Sequence, residues 1–178
     1  MSNLANRFID VVFNLSNHRY DAAITLLSTL IDRTAKDTYQ IKEVGVRFRK
    51  LIDDNADFIL WYSTEGALQF SSVIIGDKTI GTVFYKIIRN AEIHEAELRD
   101  IEFVTTGVLI SADTIPIQIN VSFIYGIFFI LCYLPVNRNH VPKGIWLKYN
   151  AREISLDEII GVGKDMALNR IRISFFGD

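Results

Sequence analysis

The stretch "VSFIYGIFFILCYLPV" (121–136) decides how this chain is read. It carries no charged residue over 16 positions. A helix that crosses a membrane needs about 20 such residues. No lysine or arginine flanks this stretch on its N-terminal side. It therefore predicts a helix buried in protein rather than in lipid, ended by Pro135. A membrane-associated protein that uses 121–136 is the competing reading, and it requires those side chains to lie uncovered.

The texture changes on both sides of this segment. Upstream, "DIEFVTTGVLISADTIPIQIN" (100–120) is rich in Ile, Val and Thr, and Pro116 forbids a helix interior. It predicts two or three short strands. Downstream, "KGIWLKYNAREISLDEIIG" (143–161) predicts a strand at 145–149. "SLDE" (155–158) then matches a capping box, Ser followed three residues later by Glu, opening a short helix. "IRISFF" is a last apolar segment.

Further back the spacing is helical. Phe8, Val11, Val12 and Leu15 share one face of a first helix. Ala23, Leu26, Leu27, Leu30 and Ile31 do the same in "DAAITLLSTLIDRTAK" (21–36). "SNHRYD" (16–21) separates the two, with Ser16 and Asn17 as candidate caps. "VGVRFRKLIDDN" (44–55) and "DFILWYSTEGALQF" (57–70) predict shorter helices, interrupted by Gly45 and Gly66. "IIGDKTIG" (74–81) has turn chemistry around Gly76-Asp77, and a longer helix follows over 78–98. The expected fold is mainly α with a small β element in the C-terminal part, as one domain over 1–178.

Composition narrows the function classes. Hydrophobic residues make up 49% and charged residues 22%, which suits a globular domain rather than a disordered chain. The formal net charge is −2, so any nucleic-acid contact must come from a local basic patch. Cys132 is the single cysteine. It permits no internal disulfide, which favours a reducing compartment. The first residues, "MSNLANRFID", show no signal-peptide pattern, and the expected location is cytoplasmic. No His, Cys or carboxylate set has metal-ligand spacing, so no metal and no cofactor is expected.

The chemistry-bearing stretch is "YKIIRNAEIHEAELRD" (85–100). On a helix Ile80, Val83, Phe84, Ile87, Ile88 and Ala91 gather on the core face. Asn90 and His94 are four apart and therefore neighbours. Arg89 points away from the core, on the side of Tyr85, Lys86 and Ile93. Arg89 and His94 are thus about 140° apart around the helix. The site reads as half of a composite cleft completed by the same helix of a second subunit, with Tyr85 and Ile93 as an exposed apolar pair on the partner face. Histidine exchanges protons near neutrality. Arginine matches phosphate oxygens. Together with Asn90 these groups suit cleavage of RNA through its 2′-hydroxyl, leaving a 2′,3′-cyclic phosphate and a 5′-hydroxyl.

"IIRNAEIHEAEL" resembles the signature of the HEPN superfamily: Arg, a polar residue, three further residues, then His. Arg89-Asn90-x-x-x-His94 matches each required position. The upstream helices look like those of plasmid- and defence-associated members. The resemblance implies a helical bundle that dimerises through the motif helices and acts as a metal-independent ribonuclease in phage defence or a toxin system. It assigns His94 as acid/base, Arg89 as the phosphate contact, Asn90 as an orienting group and Lys86 as added charge for binding. An antitoxin or regulatory protein is a partner it allows. Members paired with a nucleotidyltransferase antitoxin carry a Tyr two residues after the His. This chain has Ala96 there, so control by modification of that tyrosine is not implied. The alternative is a non-catalytic dimerisation module, which a net charge of −2 fits.

Other candidates read as structural. His18 sits in a polar turn. His140 lies near Arg138 and Lys143 in a loop (137–143) that offers a second basic patch. "GVGKDMALNR" (161–170) lacks the P-loop spacing. "RFRK" (47–50) is a small basic cluster that can help hold RNA or form an ordinary solvated helix face.

Overall fold

The computed structural model describes residues 3–67, 74–75, 77–93, 101–105, 110–111, 116–149 and 152–176. Its helices are α1 (Asn3–Ser16), α2 (Tyr20–Tyr39), α3 (Val44–Asp53), α4 (Ala56–Ser63), α5 (Ile80–Ile93), α6 (Val121–Tyr133) and α7 (Lys164–Phe176). Its strands are β1 (Ile74–Ile75), β2 (Lys78–Thr79), β3 (Ile101–Val104), β4 (Ile110–Ser111), β5 (Ile117–Asn120), β6 (Trp146–Tyr149) and β7 (Arg152–Ser155). The chain is mainly helical with small β elements.

The uncharged stretch becomes α6, and all 13 of its residues are buried. A helix apolar on every face needs cover on every face, and the fold supplies it. Phe8 of α1 meets Phe128, with ring centroids 6.2 Å apart. Phe58 and Tyr62 of α4 pack edge-on against Tyr133 and Phe129, each at 5.1 Å. Phe84 of α5 meets Phe123 at 4.9 Å. The backbone of Ile59 runs beside Gly126, with its Cα 3.6 Å from where a Cβ would stand, an ordinary contact distance. Each buried Leu, Ile or Phe side chain contributes about 1.5–3 kcal/mol by leaving water. Thirteen residues span about 20 Å, short of a bilayer core of about 30 Å. Among the described residues no helix is long and apolar enough to cross a membrane.

Both ends of α6 are capped. Asn120 Oδ1 accepts from the Ser122 N–H at 2.9 Å and from the Ser122 hydroxyl at 2.6 Å. At the other end the Cys132 and Tyr133 carbonyls accept from the backbone N–H groups of Gly161 and Gly163, both at 2.9 Å. Both glycines hold positive φ, 63° and 85°. The Gly-x-Gly segment is therefore a remote cap for the central helix, and Lys164 beside it pairs with Asp57 at 2.7 Å.

Three short β groups edge the helices. β1 and β2 form an antiparallel pair. β5 lies between β3, parallel from Ile101↔Ile117 to Val104↔Asn120, and antiparallel β4. Three strands in the region before α6 agree with its Ile/Val/Thr texture. β6 and β7 form a hairpin from Trp146↔Ser155 to Tyr149↔Arg152.

Several sequence expectations change. "SLDE" forms no capping box: Ser155 ends β7 without a side-chain cap bond, and Leu156–Glu158 is a single 3-10 turn. The following helix starts only at Lys164 and takes in "IRISFF". β7 was absent from the reading because "REIS" puts two charged residues first. Of the helix expected over 57–70, the described part forms α4 and then a turn in which Gly66 takes φ 85°, and 68–70 lie outside the described residues. Ser16 and Asn17 cap nothing at α2: its N-cap position is Arg19, without a side-chain bond, and the Asn17 amide donates back to the Phe13 carbonyl at 2.7 Å.

Candidate functional site at the α3–α5 face

The helix expected over 78–98 begins at Ile80, because Lys78 and Thr79 belong to β2. Its start is fixed by two side chains. Thr79 Oγ1 accepts from the Thr82 N–H at 3.2 Å. Asp53, at the end of α3, accepts from the Gly81 N–H at 2.8 Å and from the Thr79 hydroxyl at 3.0 Å. A carboxylate at a helix N-terminus is favoured by the exposed N–H groups and the helix dipole. The two helices are also closely apposed. A Cβ on Gly81 would lie 2.6 Å from the Arg49 carbonyl oxygen and 2.7 Å from Asp53 Oδ1.

The core face of α5 is as the spacing implied: Ile80, Val83, Phe84, Ile87 and Ile88 are buried. Lys86 is exposed. Arg89 and Asn90 fall in the helical backbone near the end of α5. Their side chains, those of Ala91 and Ile93, and all of His94 and Ala96 lie outside the described residues.

Tyr85 departs from its expected place on an open partner surface. It is half-buried against α3. Its ring centroid is 5.3 Å from that of Phe48, and Gly45 leaves room for it, since a Cβ there would lie 3.1 Å from the ring. The Arg49 guanidinium covers it, with Cζ 5.5 Å from the ring centroid. An aromatic side chain that size finds apolar contact within its own subunit once α3 packs alongside, which spacing along α5 alone does not reveal.

"RFRK" divides into three roles. Arg47 is buried and bidentate to Asp32, at 2.6 and 2.9 Å, and also donates to the Ile41 and Lys42 carbonyls. It ties α2 to α3 and is not available to a ligand. Lys50 pairs with Asp54 at 2.9 Å. Of the three cations in this cluster, Arg49 alone has no ion pair among the described residues.

The remaining candidates stay structural. His18 is exposed, with Nδ1 2.7 Å from the Tyr20 hydroxyl. The His140 loop is anchored by buried Asn137, whose amide donates to Thr34 Oγ1 and the Leu131 carbonyl, both at 2.9 Å. Arg138 lies over Gly161. Among the described residues no group of three or more His, Cys, Asp and Glu side chains is placed to hold a metal ion.

Fold and site together define a mainly helical protein built on a buried apolar hub, with a motif-bearing helix clamped at its N-terminal end. A family model described as Rv1289 matches residues 3–171, and the chain belongs to that family. No curated protein and no solved structure matches it.

Proposed function

We propose that this chain is a metal-independent endoribonuclease of the HEPN type, acting as a homodimer whose two motif helices share one cleft. The observation that carries this reading is the Arg89-Asn90-x-x-x-His94 spacing at the end of a helix whose core face is buried up to the motif. In this reading His94 takes the proton of a ribose 2′-hydroxyl. Arg89 meets the charge that builds on the attacked phosphate, and Asn90 orients the imidazole. Tyr85 is engaged with α3, so the partner surface of this reading loses Tyr85 and keeps exposed Lys86.

The test is incubation of the purified chain with single-stranded RNA in EDTA, beside a His94→Ala variant. Wild-type cleavage that leaves 2′,3′-cyclic phosphate ends, lost in the variant, is expected. No cleavage, or equal cleavage by both proteins, returns the chain to the non-catalytic dimerisation reading, which its net charge of −2 favours. A strict monomer at tens of micromolar removes the shared cleft.

A further inference from the structure

We propose that Arg49, held over Tyr85, contacts the phosphate backbone of a single-stranded RNA that runs along the α3–α5 face towards the motif. This rests on the RNA reading of residues 89–94 and adds a binding residue from a different helix.

The geometry pre-orders the guanidinium. Tyr85 is packed from below by Phe48 and fits over Gly45. The Arg49 guanidinium lies over the ring, with Cζ 5.5 Å from its centroid. A guanidinium stacked on an aromatic face keeps its N–H edges free for a bidentate phosphate contact and has little freedom left to lose on binding. The platform itself is fixed relative to the motif helix, because Asp53 and the close approach at Gly81 lock α3 to the start of α5.

The charge is also unspent. Arg33, Arg47, Lys50, Lys78, Lys148 and Lys164 each pair with a carboxylate. Arg49 and Lys86, like several other surface cations, form no ion pair among the described residues, and the Lys86 charge is felt by the Asp77 carboxylate. The acid four residues from Arg49 is Asp53, and both of its oxygens serve the N-terminus of α5. A chain of net charge −2 needs such a local cationic strip to hold RNA.

Position completes the argument. Tyr85 and Arg89 are four apart on α5, about one turn along its backbone. A cation fixed over Tyr85 therefore stands roughly one helical turn from the motif arginine. Lys86 and Asn90 are likewise four apart. Lys86 and then the motif follow Tyr85 along α5.

The experiment separates binding from cleavage. Full-length protein is titrated into fluorescein-labelled single-stranded RNA made uncleavable by 2′-O-methyl riboses, in EDTA, from about 50 to 200 mM salt. Arg49→Gln keeps the aliphatic stem and removes the charge. It is expected to weaken binding about tenfold and to lower the salt slope by about 0.7. Arg49→Lys is expected to restore the slope but not the full affinity. Arg172→Gln, on exposed α7 surface, is expected to change neither. Wild-type binding that Arg49→Gln leaves unchanged in affinity and slope overturns the proposal. So does a wild-type chain that binds no RNA, or an Arg49→Gln effect on dimer mass with RNA affinity kept. Arg49-dependent binding without any cleavage of ordinary RNA leaves this contact standing and removes the ribonuclease reading alone.

Discussion

Gly45 and Gly81 stand on the two sides of the α3–α5 contact, and they are not equivalent. At Gly81 a methyl would meet the Arg49 carbonyl oxygen at 2.6 Å. Backbone cannot swing aside, so the helices must part and the Asp53 clamp must stretch. Gly81→Ala is expected to destabilise the chain by about 2–3 kcal/mol. At Gly45 the obstacle is the Tyr85 ring at 3.1 Å, which can tilt. The helix also gains up to about 1 kcal/mol from alanine. Gly45→Ala is therefore expected to stay within about 1 kcal/mol of wild type in a urea titration. Equal losses at the two positions would show that the helix contact is not set by backbone approach. Neither glycine's role was legible in the sequence, where Gly45 reads only as an interruption of a short helix and Gly81 only as the end of the turn stretch 74–81. The same limit applies to "RFRK". Its four residues look alike in sequence, yet Arg47 is buried on Asp32 while Arg49 faces outward over Tyr85. What separates them is the neighbouring helix each one meets.

At the scale of elements, α6 was the most legible part of the chain. Thirteen consecutive buried residues leave few alternatives, and both the burial and the stop at Pro135 follow from composition. What closes its C-terminus was not legible, because the donors come from 29 and 30 residues further on, at Gly161 and Gly163 (161 − 132 and 163 − 133). Long-range capping leaves no local spacing to read. The two glycines make separable predictions. Gly163 has open space around a Cβ, so alanine there meets only the backbone strain of φ 85°, about 1 kcal/mol. Gly161 adds a clash at 2.7 Å with the Arg138 side chain to φ 63°, and its alanine variant is expected to lose about 2–3 kcal/mol. Truncating Arg138 to alanine in the Gly161→Ala background removes Cγ and Cδ, at 2.8 and 3.2 Å, and keeps Cβ at 2.7 Å. Only a minor part of the loss is expected to return in a double-mutant cycle, and no recovery would assign the cost to the backbone strain and the Arg138 Cβ contact together. The candidate site was legible differently: the motif spacing stands in the sequence, whereas the platform that Tyr85 makes with α3 needs the fold.

At the scale of the whole molecule, the buried side chains form one cluster that runs from Phe8 in α1 to Ile171 in α7. That cluster carries acidic protons inside it. Burial pushes the Cys132 thiol well up, and burial, ahead of nearby charged groups, does the same to the Tyr62 and Tyr133 hydroxyls. Tyr133 must also stay protonated to donate to Asn55 Oδ1 at 2.5 Å. In the unfolded chain a thiol releases its proton near pH ~8.5 and a phenol near pH ~10. Above those values the unfolded state binds fewer protons than the folded state, so stability falls as pH rises. The stabilisation is complete below the unfolded values and is lost as pH climbs through them towards the folded ones. Each retained proton contributes a slope of about 1.4 kcal/mol per pH unit. Cys132, Tyr62 and Tyr133 together approach about 4 kcal/mol per unit once all three are ionised in the unfolded chain. A domain of ordinary stability, about 5–15 kcal/mol, cannot withstand that for long. The urea midpoint is therefore expected to hold steady to about pH 8, decline by about pH 9.5 and collapse near pH 11. Tyrosinate absorbance should rise in one step with unfolding. A gradual rise centred near pH ~10 with an unchanged midpoint would mean that these hydroxyls reach solvent in the folded chain, and that the cluster around α6 opens without unfolding.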